Sequence, residues 1–241
     1  MTRPKCIVAW SSGKDSAWTL HRLRQQGEYE PVGLLTTLNE TYARVAMHAV
    51  RETLLEKQAE AAGLALHKVQ LPWPCPNEVY ETRMGEAVER LRADDVTAIA
   101  FGDLFLEDVR RYREEKLAGS GVRPLFPLWG EKTDRLARDM IAGGLRAYVT
   151  CVDPKQLDAR FVGRWFDQDF LNALPDGVDP CGENGEFHSF ACAGPMFARP
   201  IAVEPGEVVV RDGFVFADLL PADGALRAKG PGKIGRSARD R

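Results

Sequence analysis

Apolar residues in the first part of the chain fall into short runs separated by stretches in which they recur every three or four positions. The runs Cys6–Trp10, Pro31–Leu38, Ala65–Leu71, Val96–Phe101 and Arg146–Val152 read as strands. Between them, helical periodicity covers Ser16–Gln26, Val50–Ala62 (closed by Gly63), Glu78–Ala93, Leu106–Leu117 and Lys132–Ile141. Strands alternating with helices predict an α/β fold: a parallel sheet of at least five strands, with right-handed crossovers placing helices on both faces. Beyond about residue 154 the pattern changes. A helix near Gly163–Leu174 leads into a Gly/Asp/Pro-rich loop, then short strands Glu207–Arg211 and Phe214–Leu219 joined by Asp212-Gly213, a hairpin signal. The expected organisation is a nucleotide-binding domain over 1–153, a smaller C-terminal α+β region over 154–224, and a tail over 225–241.

Composition narrows the class. At 241 residues, 44% apolar and 28% charged, the chain has the make-up of a soluble globular protein with a sizeable core. A net charge of −3 disfavours a nucleic-acid role that depends on overall positive charge. The tail is the exception. From Arg227 it carries Lys229, Lys233, Arg236, Arg239 and Arg241 against Asp240, and with its glycines it reads as a disordered basic end. No apolar run approaches the roughly 18 residues of a membrane span, and the N-terminal run is too short for a signal peptide. The five cysteines include no C-x-x-C pair, which points to a reducing cytoplasm rather than a disulfide framework or zinc site.

The first strand runs into Ser11-Ser12-Gly13-Lys14-Asp15-Ser16. A Walker A loop needs a glycine at position 8, where Val8 stands, and Ser or Thr after the lysine, where Asp15 stands. A Rossmann turn needs more glycines. Even so, the run suits an anion. Gly13 permits close backbone approach, Ser11, Ser12 and Ser16 carry hydroxyls, Lys14 adds charge, and the helix start supplies N–H groups and a favourable dipole. Asp15 fits as a helix cap or a metal ligand.

These residues resemble the S-G-G-x-D-S loop of the N-type ATP pyrophosphatases (the PP-loop superfamily), with Ser12 in place of a first glycine. Further along, "RVAMHAV" (44–50), "FGDLFLEDVRRYREEKL" (101–117), "FPLWG" (126–130) and "CGENGEFHSFACAGPMF" (181–197) occur in the order of the diphthine–ammonia ligase family, which the chain resembles over roughly residues 5–220. In the last motif Asn184, Phe187, His188 and Ser189 replace the family's usual Gly, Tyr, Glu and Thr, as in a divergent bacterial-type branch.

The resemblance implies an adenine nucleotide alpha hydrolase-like (HUP-type) fold, with the first and fourth strands flanking the switch point where ligands bind. It implies an amide-forming ligase: ATP and Mg2+ activate an acceptor carboxylate, borne by a small molecule or a protein side chain, pyrophosphate leaves, and ammonia displaces AMP. Residues 11–16, Thr36, Thr37, Arg44, His48 and Gly102 are then nucleotide-binding candidates, and Asp15 and Asp103 metal candidates. Lys14, Asp103, Glu183 and Glu186 are catalytic candidates, and Arg113, Glu115, Asn184 and His188 substrate-binding ones. Their ordinary readings stand beside these: His48 as a helix-start histidine, Asp103 as a turn residue capping the next helix, and Arg113 and Glu115 as a solvated helix face. Trp129 fits a pocket wall or the core equally. Glu183, Glu186 and His188 suit ammonium binding, acid–base work or, with outside help, a metal. Cys181 has no visible partner base and reads as a buried thiol rather than a nucleophile. The segment 181–189, with its glycines, is expected to fold back over the crevice near Asp103 as a lid. Two other functions fit the same loop: modification of a tRNA or metabolite, and nucleotide sensing without turnover. A homo-oligomer is compatible with the sequence, and no membrane partner is expected.

Overall fold

In the computed structural model residues 2–40 and 50–222 are described, together with the backbone of 44–45. The chain forms β1 (Lys5–Ala9), α1 (Lys14–Gln26), β2 (Glu30–Asn39), β3 (Arg44–Val45), α2 (Glu52–Ala62), β4 (Ala65–Leu71), α3 (Asn77–Ala93), β5 (Val96–Ala100), α4 (Glu107–Leu117), β6 (Arg123–Leu125) and α5 (Thr133–Ala142). A second series follows: β7 (Arg146–Val152), β8 (Trp165–Phe166), α6 (Gln168–Ala173), β9 (Phe187–Ala193), β10 (Val203–Arg211) and β11 (Phe214–Pro221).

Strands β4, β2, β1, β5 and β6 lie side by side in that order, all parallel, with β3 antiparallel to the end of β2. The expected five-stranded parallel sheet is therefore present. The connection leaves β1 for β2 on one side, and β5 returns on the other. The strand order thus reverses between β1 and β5, and a crevice opens at their carboxyl ends. Alternation within these strands explains their burial on both faces. Cys6 and Val8 of β1, with Ala98 and Ala100 of β5, face one core together with Leu20, Leu54, Leu55 and Met140 from α1, α2 and α5. Ile7 and Ile99 face the other, against Val88 and Leu91 of α3 and Leu117 of α4.

Two expectations change here. The strand over 146–152 forms, but pairs antiparallel with β8, β9 and β11 in a second sheet. The helix near 163–174 is shorter, because β8 takes Trp165–Phe166 and leaves only α6, capped by Asp167 on Phe170 N at 2.8 Å. The hairpin at Asp212-Gly213 joins β10 and β11, and both turn residues have positive φ (51° and 84°), as a tight antiparallel turn requires. The second sheet packs onto the α1/α2 side of the first through Phe187, Phe190 and Cys192, which belong to the same core as Val8 and Leu54. The region expected as a disordered tail, 225–241, lies outside the described residues.

Candidate active site

The turn Ser11–Gly13 links β1 to α1 at the reversal point. Ser12 has φ 72° and is fully buried, and Gly13 caps α1. Hydroxyls knit the turn together: Gly13 N donates to Ser11 Oγ (3.3 Å), Ser16 Oγ donates to Gly13 O (3.0 Å), and the Ser11 and Ser16 hydroxyls lie 3.2 Å apart. Gly102, just past β5, abuts this turn. A Cβ on it would stand 3.0 Å from Asp15 C and 3.1 Å from Ser16 N, so any larger residue would press the two loops apart by a few tenths of an ångström. The loops after the first and fourth parallel strands therefore line one crevice.

The C-terminal segment reaches the same place. Glu183 Oε1 accepts from Leu104 N at 2.7 Å, across 79 positions of sequence. Lys14 N donates to Ser189 Oγ at 3.2 Å, and Ala191 N donates to Ser12 O at 2.9 Å. The expected flexible lid is only partly what forms. Residues 182–186 make a tight turn, but 187–193 is the buried strand β9, paired with β7 from Phe187↔Val152 to Ala193↔Arg146.

Lys14 is placed differently from the reading in which it faces an anion. Its side chain is 2% exposed, and Nζ donates to both oxygens of Asp15 (2.9 and 2.8 Å) and to Cys181 O. Phe187 and Phe166 cover it, with ring centroids at 5.3 and 5.7 Å. An ammonium has three donors, and all three are engaged inside the protein. Burial opposes its charge, but Asp15, Cys181 and Glu183 together outweigh this, so its pKa lies above the ordinary value.

The acids divide into two kinds. Glu183 is pushed up to about 7 by burial, with Leu104 N pulling the other way and Asp15 and Asp103 adding repulsion. Asp103 is also raised by burial, against the pull of Arg113, whose Nε lies 3.6 Å away. Asp103 Oδ2 and Arg113 Nε are buried without a hydrogen-bond partner, and the Arg113 guanidinium stacks on Phe101 at 4.9 Å. Glu186, 3% exposed, serves its own turn: Oε1 accepts from Asp179 N (2.9 Å) and Asn184 Nδ2 (3.0 Å), while Oε2 has no partner. His188, on β9, is held down to about 4 by burial and by Lys14.

The remaining candidates scatter. Thr36 is buried near the end of β2 with its hydroxyl unpartnered, and Thr37 is half-buried beside it. Glu115 is exposed on α4 and its side chain has no hydrogen bond among the described residues. Asn184 is exposed at the tip of its turn. Arg44 is described only in its backbone, and His48 lies outside the described residues. Cys181 is a buried thiol whose Sγ lies 3.4 Å from Thr133 O, and burial pushes its pKa up, against nucleophilic use. Trp129 stacks with Arg110 at 4.7 Å and meets Phe126 edge-on. All five cysteines are free thiols, and among the described residues no helix is long and apolar enough to cross a membrane.

Gln58 was not among the candidates. It is fully buried on α2 and bridges Trp10, Ser12 and Ala191. Its signal was in the sequence: it lies four residues after Leu54 and three after Leu55, a polar residue on the buried stripe of the helix.

Among the described residues no three His, Cys, Asp or Glu side chains form a metal cage. Magnesium asks for less, since one or two carboxylates with phosphate oxygens and water complete its shell. Asp103 fits that use through its unpartnered buried oxygen. Asp15 fits it through the second lone pair that each oxygen retains beside Lys14.

Residues 4–124 match the family model of the diphthamide synthase N-terminal domain, and residues 132–217 that of the diphthamide synthase C-terminal domain. The chain is 28% identical over 236 residues to a diphthine–ammonia ligase of Homo sapiens, covering 87% of this chain and 86% of that one. The corresponding protein of Rattus norvegicus is 26% identical over 237 residues, with the same coverage. Among solved structures, the U34-tRNA thiolase NcsA of Methanococcus maripaludis aligns with a TM-score of 0.37 and 15% identity, over 58% of this chain and 57% of that chain.

Proposed function

The chain belongs to the diphthamide synthase family, and we propose that it is an ATP-dependent ligase that makes a carbon–nitrogen bond. An acceptor carboxylate attacks the α-phosphorus of ATP and pyrophosphate leaves. Ammonia then attacks the acyl carbon, and AMP departs. The observation that carries this reading is the meeting of two unlike loops at one crevice: a hydroxyl-rich turn at the start of α1 and an acidic turn tied to Leu104 N through Glu183.

The roles follow from what each group has free. The hydroxyls of Ser11, Ser12 and Ser16 and the first-turn N–H groups of α1 hold the pyrophosphate. Thr36, Thr37 and Gly102 line the nucleotide side. Asp103 and Asp15 would hold magnesium, which would supply positive charge to offset that of the phosphates. Lys14 acts by holding Asp15 in place and opposing the burial that raises its pKa, rather than by touching a phosphate. Arg113, beside Asp103, steers the acceptor carboxylate.

At neutral pH ammonia arrives as ammonium and must lose a proton before it attacks. Glu183, with its pKa near 7, is matched to take that proton. Asp103 offers an oxygen to orient the cation. Glu186 shapes the turn that presents Glu183, and Asn184 supports it from the rim. His188 is neutral there and leaves the turn without a competing positive charge.

The test is release of AMP and pyrophosphate across a library of carboxylates, with and without ammonium. We expect both products to rise with a true acceptor, and amide to form only when ammonium is added. ADP and phosphate as the main products would contradict the reading.

A further inference from the structure

Ser12 is the one residue of the anion-binding turn in the left-handed region, with φ 72°. Glycine enters that region freely, whereas a residue with a Cβ does so at a cost. Something must hold it there. Its carbonyl accepts from Ala191 N at 2.9 Å and from Gln58 Nε2 at 3.0 Å. The same amide nitrogen donates to Ala191 O at 2.7 Å, and Gln58 Oε1 accepts from Trp10 Nε1 at 2.8 Å. An indole N–H can only donate, so Trp10 fixes the amide oxygen on its side. Both amide hydrogens must then point at the two carbonyls. Helix α2 and strand β9 thus converge on one backbone carbonyl of the turn, and Trp10, the residue following β1, orients the amide that reaches it.

We propose that Gln58 is a positioning residue. It holds Ser12 left-handed and so keeps the turn in its anion-binding shape, while Trp10 sets the orientation of the amide. This rests on the reading that the turn binds the phosphates of ATP. The coupling has a physical reason. Without the bond from Gln58, the Ser12 carbonyl keeps only its bond from Ala191 N, and the weakened hold lets Ser12 relax toward negative φ, rotating the backbone on which the anion sits. A glutamine that merely filled the core would show no dependence on what occupies position 12.

The test is a double-mutant cycle in the full chain, read by calorimetric titration with ATP and, separately, with inorganic pyrophosphate. Gln58→Met keeps the side-chain volume and removes every hydrogen bond. We expect it to weaken both ligands about tenfold, the scale of one lost buried hydrogen bond. In the Ser12→Gly background the same change is expected to cost less than about twofold, because glycine needs no support at this φ. Equal losses in the two backgrounds, or no loss in either, overturn the proposal. If Gln58→Met fails to fold, Trp10→Phe replaces it in the same cycle, with a smaller loss that Ser12→Gly again cancels and the same overturning outcomes. If the unaltered protein binds neither ligand, the phosphate-loop reading itself has failed and the proposal falls with it.

Discussion

The turn at Ser11–Ser16 follows a buried parallel strand and opens a thirteen-residue helix, whereas the turn at 182–186 opens an antiparallel strand. In the first, the polar groups are small hydroxyls and backbone atoms, and the lone cation, Lys14, is bound up with Asp15 and Cys181 O. In the second, the polar groups are acids held where water is scarce, and they keep unmet capacity: Glu183 with its pKa near 7, and Glu186 with an unpartnered oxygen. On the proposed reading the difference shows how the labour divides: the turn that would bind the anion has a knitted backbone and a cation already paired with Asp15, and the turn that would move a proton has a carboxylate whose charge burial disfavours.

Removing the cation breaks this comparison most severely. Lys14→Met leaves Asp15 without its counter-charge and Cys181 O without its donor. Urea unfolding should show a loss of about 3 kcal/mol, the range for breaking a buried ion pair.

The acidic turn should respond in the opposite sense. For Glu183 the folded pKa, about 7, lies above the ordinary 4.5, so between these values the folded state binds more protons than the unfolded one. Stability therefore falls as pH rises through this window, and the penalty is complete above pH 7. Glu183→Gln removes the penalty while keeping an acceptor for Leu104 N. The variant should be about 2 kcal/mol more stable than the unaltered chain at pH 8, with no difference near pH 4, as thermal unfolding at the two pH values would show. Amide formation should fall about a hundredfold, the scale of lost acid–base catalysis.

A smaller effect sharpens the contact between the first turn and the end of β5. Gly102→Ala places a methyl group 3.0 Å from Asp15 C, where backbone must yield. We expect a loss of about 1 kcal/mol, as for mild overpacking, together with weaker ATP binding by titration. An unchanged ATP affinity would mean that the turn and Gly102 do not share the nucleotide.

Much of the first region was legible in the sequence because its signals are local. An apolar run, a glycine, three serines and a helical period identify the turn and its place at the end of β1. The strand β6 escaped because Arg123–Leu125 is three residues long and includes Pro124, leaving no periodicity to read. The second region was harder because its partners are distant. Arg146–Val152 reads as a strand, but nothing in its own hydrophobicity says which sheet it joins; Ser189, Phe190 and Ala191 of β9 decide that. Strand β9 itself is buried on both faces, so it shows no alternation, and the glycines and acids before it give the whole stretch the look of a loop. The internal use of Lys14 was illegible for the same reason, because its third acceptor lies 167 positions away. Glu183 and Glu186 look alike in sequence. Only the fold separates the one that reaches Leu104 from the one that ties its own turn.

The central claim is that these two turns form one nucleotide site. Amide hydrogen exchange with and without a non-hydrolysable ATP analogue tests it without any knowledge of the acceptor. The account predicts slowed exchange in 11–17, 102–106 and 181–186 together, and no comparable change in the exposed strand 203–211. Protection confined to 11–17, with 181–186 unchanged, would contradict it.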